Sequence, residues 1–165
     1  MTLEMEHEDI WKEKFDNLNS LDLTPFTFAL DKLGDAETRT DIRDSIVDAI
    51  IGLESLLLND IGNEKTRGEL RYRFSINYST LFHEEDKLKQ YKLARDSYDI
   101  RSLIVHAALK SDDKINFQGI EIPIGNAKDS IIEMLRYTIN LLVDLYPTKP
   151  FNKDLFWVKR VLTVK

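Results

Sequence analysis

Residues 39–60 read RTDIRDSIVDAIIGLESLLLND. Ile42, Ile46, Ala49, Ile50, Leu53, Leu56 and Leu57 recur at steps of three and four, the period of one helix face. Thr40 or Asp41 stands where an N-cap oxygen is wanted. Gly52 lies inside the pattern, where glycine costs about 1 kcal/mol against alanine, so it marks close helix packing. Asp41, Asp44 and Asp48 fall at three- and four-residue steps and mimic a carboxylate metal site. With Arg39 and Arg43 interleaved, a solvated helix face is the favoured reading.

Working outward, the chain keeps a helical texture. Only four prolines and six glycines punctuate it. Towards the N-terminus, a short helix is expected from Pro25, capped by Thr24, carrying Phe26, Phe28, Leu30 and Leu33 and stopping near Gly34. Before it, residues 3–18 suit a charged helix anchored by Ile10, Trp11, Phe15 and Leu18. On the other side, IGNEKT (61–66) reads as a loop, and residues 69–82 return to helix through Leu70, Phe74, Tyr78 and Leu81. Residues 83–110 follow as a helix. Tyr91, Ala94, Tyr98, Val105 and Ala108 trace its stripe, widened by Ile100, Leu103, Ile104 and Ala107. Residues 110–126 read as a loop with an extended stretch. Residues 126–147 form a helix ended by Pro147, and residues 152–161 a last short one. The expectation is an all-α fold, a bundle of about five to seven helices. Residues 1–35 form an N-terminal helical extension and residues 36–165 the main helical domain.

The chain has 165 residues, enough to bury roughly 70% of its unfolded surface without staples. It has no cysteine, which excludes disulfides, thiolate metal sites and a cysteine nucleophile. The acidic start, MTLEMEHEDIWKEK, is neither a signal nor a transit peptide. No run approaches the roughly 18–20 apolar residues of a membrane span. A cytoplasmic protein without a membrane partner is expected. The net charge of −6 argues against broad binding to nucleic acid but allows a local basic site. Arg67, Arg71 and Arg73 in TRGELRYRF supply one basic segment.

Few residues carry chemistry. His7 lies among acidic residues and reads as solvated. His83 opens HEED, but the fifth residue is Lys87, so the H-E-x-x-H zinc pattern fails and an exposed residue at a helix junction remains. Asn77–Tyr78–Ser79 matches a glycosylation acceptor inside a helix and is discounted. No Gly-rich phosphate loop or G-x-S-x-G elbow is present, and no cofactor or metal is expected. YDIRSLIVHA, residues 98–107, differs. Arg101 stands three after Tyr98 and four before Val105, on the stripe itself. A guanidinium keeps its proton, so burying it demands an anion. Asp99, Glu54 or Glu69 in a structural ion pair is one answer. His106, flanked by Val105 and Ala107, has a bland reading too, a half-buried ring bonded to a backbone carbonyl. On an ideal helix the two point about 140° apart. They border one cleft if two copies of this helix meet across a two-fold axis.

R-S-L-I-V-H, residues 101–106, fits the R-x-x-x-x-H motif, and the chain resembles the HEPN superfamily of helical nucleotide-binding domains. GLESLLL (52–58), GELRYRFSINYSTLF (68–82) and the Y-D-I-R-S-x-x-x-H run (98–106), in that order, resemble the ApeA-like branch. The three blocks cover roughly residues 42–108. The resemblance implies an HEPN-like bundle that dimerises through the motif helix, placing both copies of the motif in a shared cleft. It implies a metal-independent endoribonuclease of phage-defence or toxin type, leaving 2′,3′-cyclic phosphate and 5′-hydroxyl ends. On this chain His106 would be the general base or acid at the ribose 2′-hydroxyl. Arg101 would hold the phosphate, and Ser102 would position the phosphate or His106. Glu69, Arg73 and Asp99 are candidates for the surrounding shell. The residue types suit this chemistry, since histidine as a type titrates near neutrality and planar arginine matches a phosphodiester. The rival expectations are a catalytically inactive HEPN module that binds RNA or protein, and a toxin half controlled by a regulatory or antitoxin protein such as a nucleotidyltransferase.

Overall fold

The computed structural model describes residues 23–58, 67–106, 108–145 and 153–163. Within them lie six α-helices: α1 (Thr27–Thr38), α2 (Ile42–Leu57), α3 (Arg67–Ser79), α4 (Glu84–Val105), α5 (Ile124–Leu145) and α6 (Lys153–Leu162). A two-stranded hairpin, β1 (Lys114–Phe117) and β2 (Ile120–Pro123), separates α4 from α5. The predicted helix at 3–18 and the loop at 61–66 lie outside the described residues, as does Pro147.

Residues 39–58 are the centre of the molecule. Ile46, Ala49, Ile50, Leu53 and Leu57 are fully buried, because α1, α3, α4 and α5 all pack on α2. Asp41 is its N-cap, accepting a hydrogen bond from Arg43 N at 2.8 Å. The Arg43 side chain closes the cap further. Its Nη2 reaches Asp41 Oδ2 at 2.7 Å, and these contacts draw the Asp41 carboxyl down to about 2. Gly52 sits against Leu135 of α5: a Cβ there would stand 2.8 Å from Leu135 Cδ2 and 3.1 Å from Lys32 Cβ.

A helix leaves its last carbonyls without helical partners. At the end of α2 the tertiary structure supplies them. Lys153 Nζ donates to Ser55 O and Leu58 O, Trp157 Nε1 donates to Leu56 O at 3.2 Å, and Asn77 Nδ2 donates to Leu57 O at 2.8 Å. Asn77 is thus a buried capping residue, consistent with discounting it as a glycosylation acceptor.

Three expectations are corrected. First, α1 runs past Gly34 to Thr38, after a 3-10 turn at Thr24–Phe26 that holds Pro25. Phe26 of that turn is buried and the buried positions of α1 are Ala29 and Ala36, while Phe28 and Leu30 are exposed; small residues in the helix are what the close approach to α2 admits. The expected boundary at residue 35 falls inside this helix, which packs on α2 and α5.

Second, Asp48 is not on a solvated face. It is 6% exposed and accepts from Lys32 Nζ at 2.8 Å and Arg39 Nε at 2.9 Å. Burial alone would raise its pKa; the two cations outweigh that and hold it below the ordinary carboxylate value. Asp44 is exposed, and among the described residues no three His, Asp or Glu side chains come together as a metal would need. Third, Val105, Leu103 and Ala108 do not continue the buried stripe of α4. The buried positions are Ala94, Ser97 and Ile100. Phe74–Tyr98 and Arg71–Asp99 contacts show α3 and α4 running antiparallel, so the last turn of α4 lies level with the start of α3.

The extended stretch expected within 110–126 is the hairpin. Ile115 and Phe117 alternate inward. Gln118 (φ 54°) and Gly119 (φ 82°) form a two-residue turn with both φ positive, the geometry that matches strand twist. Gln118 N donates to Asp96 Oδ2 of α4 at 3.0 Å, which ties the turn to the motif helix. Among the described residues no helix is long and apolar enough to cross a membrane.

Candidate functional site

The last turns of α4 carry Arg101 and Ser102, and His106 caps the end of the helix. Arg101 leaves the helix on the side that meets α2. Its Nη2 lies 3.6 Å from Glu54 Oε2, the Arg101 side chain being 29% exposed and that of Glu54 6%. Of the three carboxylates that the sequence offers, the fold therefore selects Glu54. The reason is register: Glu54 follows the fully buried Leu53 on α2 and faces α4, whereas Glu69 is exposed on α3. Asp99 turns instead to Arg71, with Nε to Oδ1 at 3.1 Å.

The pair is not closed. At 3.6 Å it is longer than a charge-assisted hydrogen bond, and Arg101 Nε is buried with no hydrogen-bond partner. The Tyr98 hydroxyl, one turn back, lies near enough to Glu54 to bear on its carboxylate. The Tyr98 ring packs on Phe74 at 5.3 Å. Burial raises the Glu54 carboxyl, opposed by Arg101 and the Tyr98 hydroxyl. Burial, reinforced by the Glu54 charge, pushes the Tyr98 phenol up to about 12. Tyr98 reads in the sequence only as an apolar stripe residue. Its place three before Arg101 is the signal that could have assigned it to the cluster.

His106 is in the turn that ends α4 and is exposed. Its backbone N donates to Ser102 O at 3.1 Å. The reading of a half-buried ring bonded to a backbone carbonyl does not hold, since the side chain has no such partner among the described residues. Ser102 is half-buried. Leu103 (44%) and Val105 (56%) are exposed beside His106. Within one chain, then, Arg101 is anchored inward and His106 faces out, as their angular separation on the helix requires.

Glu69 and Arg73 make no ion pair with Arg101 or any other described residue, and burial moves Asp99 up in pKa despite Arg71. His83, as expected, is exposed at the junction before α4, whose N-cap it occupies without a side-chain hydrogen bond. This end of the helix thus holds one guanidinium, 3.6 Å from a buried carboxylate, and one exposed imidazole. No protein-family model, curated protein or solved structure matches the chain.

Proposed function

We propose that the chain is an HEPN-type endoribonuclease, cutting RNA without a metal at a site shared by two copies of α4. One observation carries this reading: the end of α4 presents His106, Leu103 and Val105 together on the surface, one turn beyond an arginine anchored by a buried carboxylate. Exposed apolar residues beside a titratable ring fit an interface with a site in it. A two-fold axis through this end would bring two arginines and two histidines to one cleft.

The chemistry balances without water. The ribose 2′-oxygen attacks phosphorus as one imidazole takes its proton. The 5′-oxygen leaves and receives a proton from the other imidazolium. A 2′,3′-cyclic phosphate and a 5′-hydroxyl result. Arg101 stabilises the charge that grows on the non-bridging oxygens, and Glu54 fixes its direction. Ser102 positions the phosphate or His106. A role in phage defence or a toxin-type system, with a regulatory protein as partner, accords with the resemblance.

A second reading, an inactive module that binds RNA or protein, is favoured by the Glu54 pairing itself, which neutralises part of the Arg101 charge. One experiment separates the two. Purified protein is incubated with single-stranded and structured RNAs in chelator, beside Arg101→Ala and His106→Ala, with the oligomeric state of each measured. Cleavage lost in both variants while the dimer persists is the expected outcome. Cleavage that survives His106→Ala would remove the mechanism, and a folded dimer that leaves every RNA intact would leave the module.

A further inference from the structure

At the opposite end of α4 lies a second site, one with no counterpart in the motif reading. A cleft of about 320 Å³ opens between the α3–α4 turn and α6, within the roughly 300–1,000 Å³ of small-ligand sites. Three cations line it: Lys87 from α4, and Lys159 and Arg160 from α6. No carboxylate lines it among the described residues. In a chain of net charge −6 that is a local inversion of sign.

Arg160 is the unusual member. Its Nη2 donates to Thr80 O at 2.8 Å, which fixes the guanidinium. Its Nε is buried and has no hydrogen-bond partner, and no acidic side chain among the described residues pairs with it. Burial alone draws its pKa down. A desolvated cation without a counter-ion is costly unless an anion completes it. Arg101 has its Glu54; among the described residues Arg160 has no such carboxylate. Lys87 pairs with Glu84 at 2.7 Å, an exposed carboxylate outside the lining of the cleft.

The remaining walls are aromatic. Phe82 and Phe156 both line the cleft. The Arg160 guanidinium lies 5.8 Å from the Phe156 ring centroid, and Phe82 is held by stacking on Tyr137 at 5.0 Å. Cations beside fixed aromatic faces suit a ligand that is phosphate at one end and a flat base at the other.

We infer that this cleft binds a nucleotide, its phosphate on Arg160, Lys159 and Lys87 and its base against Phe82 and Phe156. The nucleotide is either free or one unit of an RNA strand. Lys87 and Arg101 are 14 residues apart on α4, about 21 Å at 1.5 Å per residue, so the two sites are separate. The inference does not rest on ribonuclease activity.

Calorimetric titration of the full chain with inorganic phosphate, adenosine monophosphate and a short oligouridylate tests it. Adenosine monophosphate should bind more tightly than inorganic phosphate and more weakly as salt rises. Arg160→Gln and Lys159→Gln should each lower its affinity about tenfold, and Arg101→Ala should leave it unchanged. Tighter binding of the oligouridylate would identify the strand as ligand, and equal binding the free nucleotide. Should Arg160→Gln fail to fold, Lys159→Gln and Lys87→Gln keep the test open, since neither side chain holds the Thr80 carbonyl. The inference is overturned if neither organic ligand binds at millimolar concentration, if phosphate binds as tightly as the nucleotide, or if the lysine variants bind like the parent.

Discussion

Arg101 shows how far a single residue can be read. Its place on an apolar stripe announced that an anion must stand near it; three carboxylates were eligible, and only packing chose Glu54. Because Glu54 is buried and its carboxyl already raised, removing the arginine should raise it further. Arg101→Ala is therefore expected to shift the Glu54 titration upward, followed by carboxyl carbon NMR. It should also cost about 1–3 kcal/mol in urea unfolding, the scale of one buried group left without its partner. The Arg101 side chain is itself 29% exposed, which keeps the loss below the ~3–5 kcal/mol of a fully buried pair. An unmoved Glu54 titration would show that the 3.6 Å contact carries no coupling. Asp48 taught the opposite lesson. Flanking arginines made it look solvated, and one of them, Arg39, together with Lys32, is what allows it to be buried.

Among the elements, the apolar face of α2 was the most legible, since Ile46, Ala49, Ile50, Leu53, Leu56 and Leu57 keep the helical period. A cap at Thr40 or Asp41 and the close approach at Gly52 were also visible, the structure selecting Asp41. Gly52→Ala should destabilise by up to about 2 kcal/mol in urea unfolding, the overpacking being offset in part by the ~1 kcal/mol gained in helix propensity. The added methyl meets the fully buried Leu135 and Lys32 Cβ, and overpacking of this kind costs about 1–3 kcal/mol. A stabilised variant would mean that α2 and α5 can separate freely. The end of α2 was not legible. Lys153, Trp157 and Asn77 converge on its carbonyls from 20 to 101 residues away, and no local pattern announces such a cap. The hairpin turn was only half-visible because Gln118 replaces the asparagine or glycine that usually marks positive φ.

On the scale of the whole molecule, carboxylates of opposite behaviour set the response to acid. Asp41 and Asp48 are held below their ordinary value near 3.8, so the stability they lend is present above that value and is lost as pH falls through their folded values. Glu54 and Asp99 are raised by burial, so protonating them as pH falls towards their ordinary values of 4.5 and 3.8 favours the folded state. The expected profile is level or gently rising stability from pH 7 to about 4.5 and a steep fall below about 3.8. Melting temperature against pH measures it. Asp48→Asn should flatten the acid limb and lower stability at neutral pH, where Lys32 and Arg39 lose their shared anion. An acid limb as steep as the parent's would discount Asp48 as its source.

By itself the sequence determined the helical class, the central helix with its cap and packing glycine, and the presence of an arginine and a histidine at the end of a long helix. These follow from local periodicity and from the physical cost of burying charge, both written in neighbouring residues. The tertiary structure alone decided that Glu54 anchors Arg101, that His106, Leu103 and Val105 stand in the open, that Asp48 binds α1 to α2, and that Lys87 and Arg160 meet across a cleft. Each of these depends on which faces of distant helices are brought together. Side-chain period gives a helix its faces, but only packing in three dimensions selects what each face meets.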